Sequence, residues 1–288
     1  TSHIRQTITM KRKIDPKETS TKDLHQYILG SIAPRPIAFV SSINEDGVEN
    51  LAPYSFFNAF SSNPPIAVFS SNRKVADNTT KDTLHNAEVQ KELVINMVSY
   101  NIVRQMAISS VSYPTEVSEF EKSGLTPEPS ELVNASRVGE SPVNMECLVK
   151  EIIPLGDQGG AGHLIICEIL MLHIDEEVLD GNRIDPHKID LMGRMGRSYY
   201  VRASGTAISS IYQSVVEIPI GYDGLPEAIR KSNLLSANDI ATIAGLTEFP
   251  EAAPVIEGMD EYTAHQRAKE LIAAGNTEEA LALLLSIV

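Results

Sequence analysis

Between Ser70 and Ala87 the chain reads SSNRKVADNTTKDTLHNA, a run of hydroxyls and amides holding Arg73, Lys74 and Lys81 within nine positions. Side chains of these types donate hydrogen bonds, and cations strengthen such bonds when the acceptor is an anion. Two readings are open: a solvated loop entering a helix, or a pocket for a small anion such as a phosphate monoester. The apolar run 66–70 reads as a strand, and Thr79 or Thr80 opens a helix to about Lys91. A helix start offers unpaired N–H groups and the positive end of the dipole. Lys81 and Thr83 then fall in the first turn, with Ser71 and Arg73 in the loop before it. Cations in a first turn are unfavourable by themselves, so their placement makes more sense beside a bound anion. Lys74 is the weakest member of the set.

Just upstream, LAPYSFFNAFSSNPP (51–65) interleaves Phe56, Phe57 and Phe60 with Ser55, Asn58, Ser61 and Ser62. By itself it is a strand and bend with core aromatics. Beside an anion site it could floor a flat polar ring, with apolar faces and amide or hydroxyl groups at the edge.

These residues need a scaffold. STKDLHQYILG (20–30) reads as a short helix with Ser20 or Thr21 as cap and Gly30 at its end. PIAFVSSI, the turn signal NEDG and VENLAPYSFF read as a hairpin over 36–57, and IAVFSS as a third strand. LVINMV (93–98) is a fourth strand and NIVRQMAISSV (101–111) is helical. Residues 114–140 read as surface loop with short helix. VNMECLVKEIIPL (143–155) and HLIICEILMLHID (163–175) are two long apolar strands. Close-spaced strands without regular long helices exclude a doubly wound sheet and predict an antiparallel barrel. Beyond Gly205 the pattern turns helical. Ser236 with Asp239 is a capping signal, and 259–288 reads as two helices broken at Gly275-Asn276, with Thr277 as cap. This hairpin faintly resembles one tetratricopeptide unit, but one unit is not an array. The expected division is 1–205 and a helical extension, 206–288.

The 288 residues carry a formal charge of −14, of which residues 205–288 contribute −8. An acidic chain without a basic stripe argues against nucleic acid as partner. No apolar run approaches membrane-spanning length, and TSHIRQTITMKRKIDP lacks the apolar core of a secretory signal. Cys147 and Cys167 have no CxxC or histidine pair nearby and read as buried thiols of a cytoplasmic protein. There is no GxSxG, no HExxH and no P-loop. GDQGGAG (156–162) lacks the GxGxxG order and precedes a strand, which argues against a Rossmann site. If the protein is an enzyme, its reactive group is borrowed.

In order, APRPIAFVSSINEDG, NLAPYSFFNAFSSNPP, and KDTLHN before LVIN resemble the flavin reductase-like FMN-binding split barrel family. That family includes reductase components of two-component monooxygenases and flavoredoxins. The resemblance spans about residues 20–203. It implies a mainly β fold, an antiparallel split β-barrel of six or so strands with peripheral helices. It also implies a homodimer with one FMN per subunit near the interface. Carried over residue by residue, Ser55, Phe56, Phe57, Asn58 and Ala59 would line the flavin ring. Ser71, Arg73, Lys81, Asp82 and Thr83 would form the phosphate side, with Asp82 orienting Lys81 or a backbone N–H. NADH or NADPH would pass a hydride to flavin N5, with His163 as candidate on the nicotinamide side. The other reading of His163 is a histidine bonded to backbone. HLIICE departs from the family's H-x-x-x-G-E in having Cys167 at the glycine, which would narrow the nicotinamide space. The acceptor would be a partner monooxygenase or another protein. The rivals are an FMN electron carrier without NAD(P)H activity and a barrel dimer that has lost flavin.

Overall fold

The structure is a computed structural model that describes residues 10–211, 213–256 and 258–287. Most of the stretch tested for a secretory signal lies outside the described residues. The chain divides into two compact units, with the boundary between Ser209 and Ser210.

The first unit runs α1 (Thr21–Ser31), β1 (Ala38–Ile43), β2 (Glu49–Tyr54), β3 (Phe57–Ser62), β4 (Pro65–Asn72), α2 (Asp82–Gln90) and β5 (Glu92–Met97). It continues through the short helices α3 (Val103–Ile108) and α4 (Glu119–Ser123) to the long strands β6 (Val143–Pro154) and β7 (Gly162–Ile174). The seven strands form one antiparallel sheet in the order β2-β1-β5-β6-β7-β4-β3. The strand absent from the six-strand expectation is β3. Five of its six residues are exposed, and its pairing with β4 slips between Ala59 and Ser61. An exposed edge strand with a bulge carries no clean apolar alternation to read.

Strand β1 is buried from Ala38 to Ser42, the polar Ser41 and Ser42 included, because both its faces are covered. Ala38 and Val40 turn to one core with Ala52, Phe69, Leu93, Ile95, Cys147, Ile165 and Cys167. Phe39 turns to a second core under α3 and α4, with Leu51, Ile102, Met106 and Phe120. Each large side chain buried this way contributes roughly 1.5–3 kcal/mol. Tyr54 on the first strand of this order and Phe69 on the sixth are far apart along the sheet, yet their ring centroids are 5.0 Å apart. The sheet is therefore curled, and α2 plugs the curl with Leu84 and Ala87. Cys167 is fully buried in this inner core. Its side chain packs there with Cys147 and Ile165.

In the second unit, α5 (Ala237–Ala244), α6 (Glu261–Ala273) and α7 (Thr277–Leu285) pack around Leu225, Ile229, Ile240, Ile243, Ala268, Leu281 and Leu284. Ser236 and Asp239 make the reciprocal capping box. Gly275, at φ 84°, turns the α6–α7 hairpin, and Asn276 rather than Thr277 sits at the cap position. The hairpin needs no neighbouring repeat, because α5 and the segment 225–235 cover its apolar face. Among the described residues no helix is long and apolar enough to cross a membrane.

Candidate functional site

The polar run leaves β4, and the two faces of that strand lead to two different clefts. Ser70 and Asn72 point to one side, where the Ser70 hydroxyl donates to Asn72 Oδ1 at 2.8 Å. By the period-two rule Ser71 points to the other. It is 1% exposed, and its hydroxyl has no hydrogen-bond partner. Nearby, the Tyr54 hydroxyl is also buried, close to the Ser71 and Thr83 hydroxyls. Burial pushes the Tyr54 phenol up to about 12, against the opposing effect of the Thr83 and Ser71 hydroxyls.

On the Ser71 side lies a polar cleft of about 130 Å³, lined by Asn50, Ala52, Lys74, residues 80–83, residues 109–115 and Glu119. Helix α2 begins at Asp82, two or three residues later than expected, because Thr79 is held in the loop by Asp77. The Thr79 N–H and hydroxyl both donate to Asp77 Oδ1. Lys81 is therefore the N-cap residue, and no side chain caps the helix start. Lys81 Nζ lies 4.8 Å from the Tyr54 ring centroid, a cation–π contact. Its pKa is lowered by burial and by the charge of Lys74, with Glu119 acting the other way. Among the described residues neither Lys74 nor Lys81 has a carboxylate within 4.0 Å.

The remaining residues of the expected phosphate side divide. Thr83 is fully buried and its hydroxyl donates to Asn50 Oδ1 at 2.7 Å, so its proton is in use. Asn50 in turn donates to Glu119, which also accepts the Leu51 N–H at 2.9 Å. Burial pushes the Glu119 carboxyl up. Asp82 forms no ion pair with Lys81; its contact is the Thr115 hydroxyl at 3.5 Å. Arg73 is not on the cleft wall. Its guanidinium donates to Asn78 Oδ1 at 2.7 Å and Asn78 O at 2.8 Å, while Asn78 Nδ2 donates to Asp157 O. Arg73 thus ties the polar loop to the β6–β7 turn. The ranking of the two neighbours reverses: Lys74 faces the cleft and Arg73 braces it. Arg73→Ala is accordingly expected to weaken FMN and riboflavin by similar factors in a fluorescence titration. A loss confined to FMN would put Arg73 on the phosphate instead.

The other cleft, about 390 Å³, is an aromatic groove lined by Phe56, Phe57, Asn58, Phe60, Val68–Ser70, Asn72, Leu155, Gly160, Gly162 and Leu164. Phe60 is 69% exposed. A Cβ at Gly162 would lie 2.4 Å from Ser70 Oγ, so only glycine lets β7 approach the Ser70–Asn72 pair. Asn58 Oδ1 accepts the Ala59 N–H at 2.8 Å, which leaves Nδ2 as a donor. Ser55 stands behind the groove and accepts from buried Arg35 Nε at 3.2 Å. Ala59 is exposed on the edge strand.

His163 is 7% exposed and lines neither cleft. Its Nδ1 is 3.2 Å from the Ser71 carbonyl, directly across the β4–β7 ladder. That is the backbone-bonded arrangement. The segment 109–115 was missed as a wall of the polar cleft. Its signal was Ser109, Ser110, Ser112, Tyr113 and Thr115, five hydroxyls in seven positions just after a short helix.

The sequence profile of the flavin reductase-like domain matches residues 29–189. An uncharacterized protein of Aquifex aeolicus is 43% identical over 191 residues, covering 66% of this chain and 94% of its own. Among solved structures, nitrilotriacetate monooxygenase component B from Bacillus cereus superposes with a TM-score of 0.65 at 31% identity, covering 72% of this chain and all of its own. The 2-nitrobenzoate 2-nitroreductase NbaA of Pseudomonas fluorescens gives 0.62 at 28% identity, over 73% of this chain and 100% of its own.

Proposed function

The chain belongs to the flavin reductase-like family, and on that premise we propose that it binds FMN and is an oxidoreductase taking hydride from NADH or NADPH. The observation that carries the reading is the polar cleft. Two lysines without carboxylate partners among the described residues line it, Lys81 as the N-cap residue of a helix start that no side chain caps and Lys74 in the loop before it. Such donors fit a phosphate monoester, and the aromatic groove on the other face of β4 fits a flat ring.

In this reading Lys81, Lys74 and the first N–H groups of α2 hold the phosphate. Phe56 and Phe57 supply apolar area for the ring, and Asn58 Nδ2 donates to its carbonyl edge. The Tyr54 hydroxyl, pushed to about 12, keeps its proton at neutral pH and remains a donor. Bound FMN supplies the hydride-accepting chemistry that side chains lack. Ser55 acts through Arg35 as a positioning residue, and His163 braces β7 against β4. The curled sheet is read as the family's split barrel. Its exposed β3 edge, with Phe60, supports a homodimer, because an uncovered edge strand invites pairing. The neighbour's name, component B of a monooxygenase, makes a partner monooxygenase our choice of electron acceptor. Two buried free thiols support a cytoplasmic setting.

The test is the visible spectrum of the purified protein with FMN, before and after NADH or NADPH without oxygen. Bound flavin that bleaches rapidly is the expected result. Bound flavin that stays oxidised with both donors would make the protein an electron carrier instead. Failure to bind FMN at all would remove the reading.

A further inference from the structure

Three side chains on the wall of the polar cleft are joined end to end. The Thr83 hydroxyl donates to Asn50 Oδ1 at 2.7 Å, and Asn50 Nδ2 donates to Glu119 Oε2 at 3.1 Å. They come from three elements, α2, β2 and α4. The line has a direction, because a carboxylate only accepts hydrogen bonds. Anionic Glu119 takes the NH2 group of Asn50. The amide oxygen then faces Thr83 and draws the hydroxyl proton away from the cleft.

An amide keeps almost the same shape when its oxygen and nitrogen exchange places. A protonated Glu119 donates to Asn50 Oδ1, Nδ2 turns to Thr83 Oγ1, and the Thr83 proton is released to the cleft. The Glu119 carboxyl has room for that proton. Its Oε2 accepts the Leu51 N–H at 2.9 Å, whereas Oε1 has only the Asn50 contact at 3.3 Å. A proton on Oε1 leaves the backbone bond in place.

The surroundings favour the neutral acid. Glu119 is buried, and among the described residues no Lys, Arg or His lies within 4.0 Å of it. Burial pushes its carboxyl up, Asp82 adds to this, and the Leu51 N–H opposes it. Lys81 and Asp82 face it from the start of α2, Lys74 from the loop before α2, and the neutral Tyr54 phenol from β2. Tyr113 lies on the 109–115 wall, with Lys122 of α4 5.9 Å from its ring centroid. Arg104 of α3, Glu116, and Glu121 of α4 are exposed. A phosphate entering the cleft adds negative charge beside the carboxylate, which favours its neutral form further.

We propose that Glu119 is a proton-linked positioning residue, which takes up a proton when a phosphate monoester enters the cleft and, through Asn50, turns the Thr83 hydroxyl onto the anion. One proton passes from solvent to Glu119 Oε1, and that O–H is the only bond formed. The relay rests on the phosphate reading of the cleft above and gives that site its response to pH.

The test is the ratio of FMN to riboflavin affinity in the full-length protein, read by flavin fluorescence from about pH 5.5 to about 8.5. Glu119→Gln stands for the protonated form, since its amide donates to Asn50 and its oxygen keeps the Leu51 N–H. At the alkaline end its ratio should exceed that of wild type by about tenfold, the range of one charge-assisted hydrogen bond. The two should converge as pH falls. Thr83→Val removes the relayed proton, so Glu119→Gln in that background should move the ratio by less than about threefold. The wild-type ratio should also rise relative to Thr83→Val as pH falls, a comparison in which the titration of the phosphate itself cancels. Calorimetry in two buffers of different protonation enthalpy should count about half to one more proton taken up per FMN by wild type than by Glu119→Gln. A gain in Glu119→Gln that survives loss of the Thr83 hydroxyl, or equal proton counts, overturns the relay. Inorganic phosphate is titrated in the same way. A wild type that binds phosphate with this proton uptake but not FMN keeps the relay and sinks the flavin reading, and one that binds neither sinks both.

Discussion

Lys81→Ala is expected to weaken FMN by about tenfold to a hundredfold and to leave riboflavin within about threefold. One charge-assisted hydrogen bond is worth roughly 1.5–3 kcal/mol, which is that range of affinity. Riboflavin differs from FMN only in lacking the phosphate, so the ratio of the two affinities isolates the lysine's contact. Lys74→Ala should shift the ratio in the same direction by less, because Lys74 flanks the cleft and α2 does not begin at it. The Lys81 pKa is lowered by burial and by Lys74. The charged form that favours phosphate is therefore lost, as pH rises, earlier than the usual lysine value of about 10.4 would imply. The FMN preference should begin to fall on the alkaline side below that value in wild type, and be flat there in the alanine variant. The measurement is flavin fluorescence titration at several pH values. Equal weakening of both flavins by Lys81→Ala would end the phosphate assignment.

Glu146→Ala should cost about 3–5 kcal/mol of stability, because three donors lose a buried carboxylate acceptor and hydrogen bonds to a charged group are worth roughly 1.5–3 kcal/mol each. Glu146 lies on β6 with no exposed surface. It accepts the Glu131 N–H at 2.9 Å, the Leu132 N–H at 2.6 Å and His173 Nε2 at 2.6 Å. Truncation would leave two backbone N–H groups and an imidazole without their acceptor. For a unit of this size the loss corresponds to a melting temperature lower by about 6–20 °C. The pH dependence follows from the direction of the shift. Desolvation raises the Glu146 pKa, but the two N–H groups and His173 outweigh it and the net is lowered. A depressed carboxyl stabilises fully above its unfolded value, about 4.3, and that contribution is lost as pH falls through the folded value. Glu146→Gln, which does not titrate, should therefore lie well below wild type at pH 7 and converge on it in acid. Parallel melting curves across the acid range would show that Glu146 is not the group responsible.

What the sequence by itself determined was local. The β1–β2 hairpin follows from apolar runs around Asp46-Gly47, the start of α1 from Ser20, the start of α5 from Ser236 with Asp239, and the α6–α7 break from Gly275. The ordered motifs from Ala33 to Asn96 also named the family, since each motif belongs to a short contiguous segment. Only the tertiary structure decided which side chains meet. Arg73 and Lys74 are adjacent in sequence, yet an Asn78 acceptor captures one and leaves the other facing the cleft. The cleft's second wall, 109–115, comes from chain nearly thirty residues beyond Lys81 and is brought there by the packing of α3 and α4 beneath the sheet. His163 and Cys167 share one strand, but the β4–β7 register gives His163 to the Ser71 carbonyl and Cys167 to the inner core. Periodicity assigns a residue to one of two faces of a strand. It does not say which face is core, which is groove, or which distant donor has already been claimed, because those depend on how the sheet curls and what packs against it.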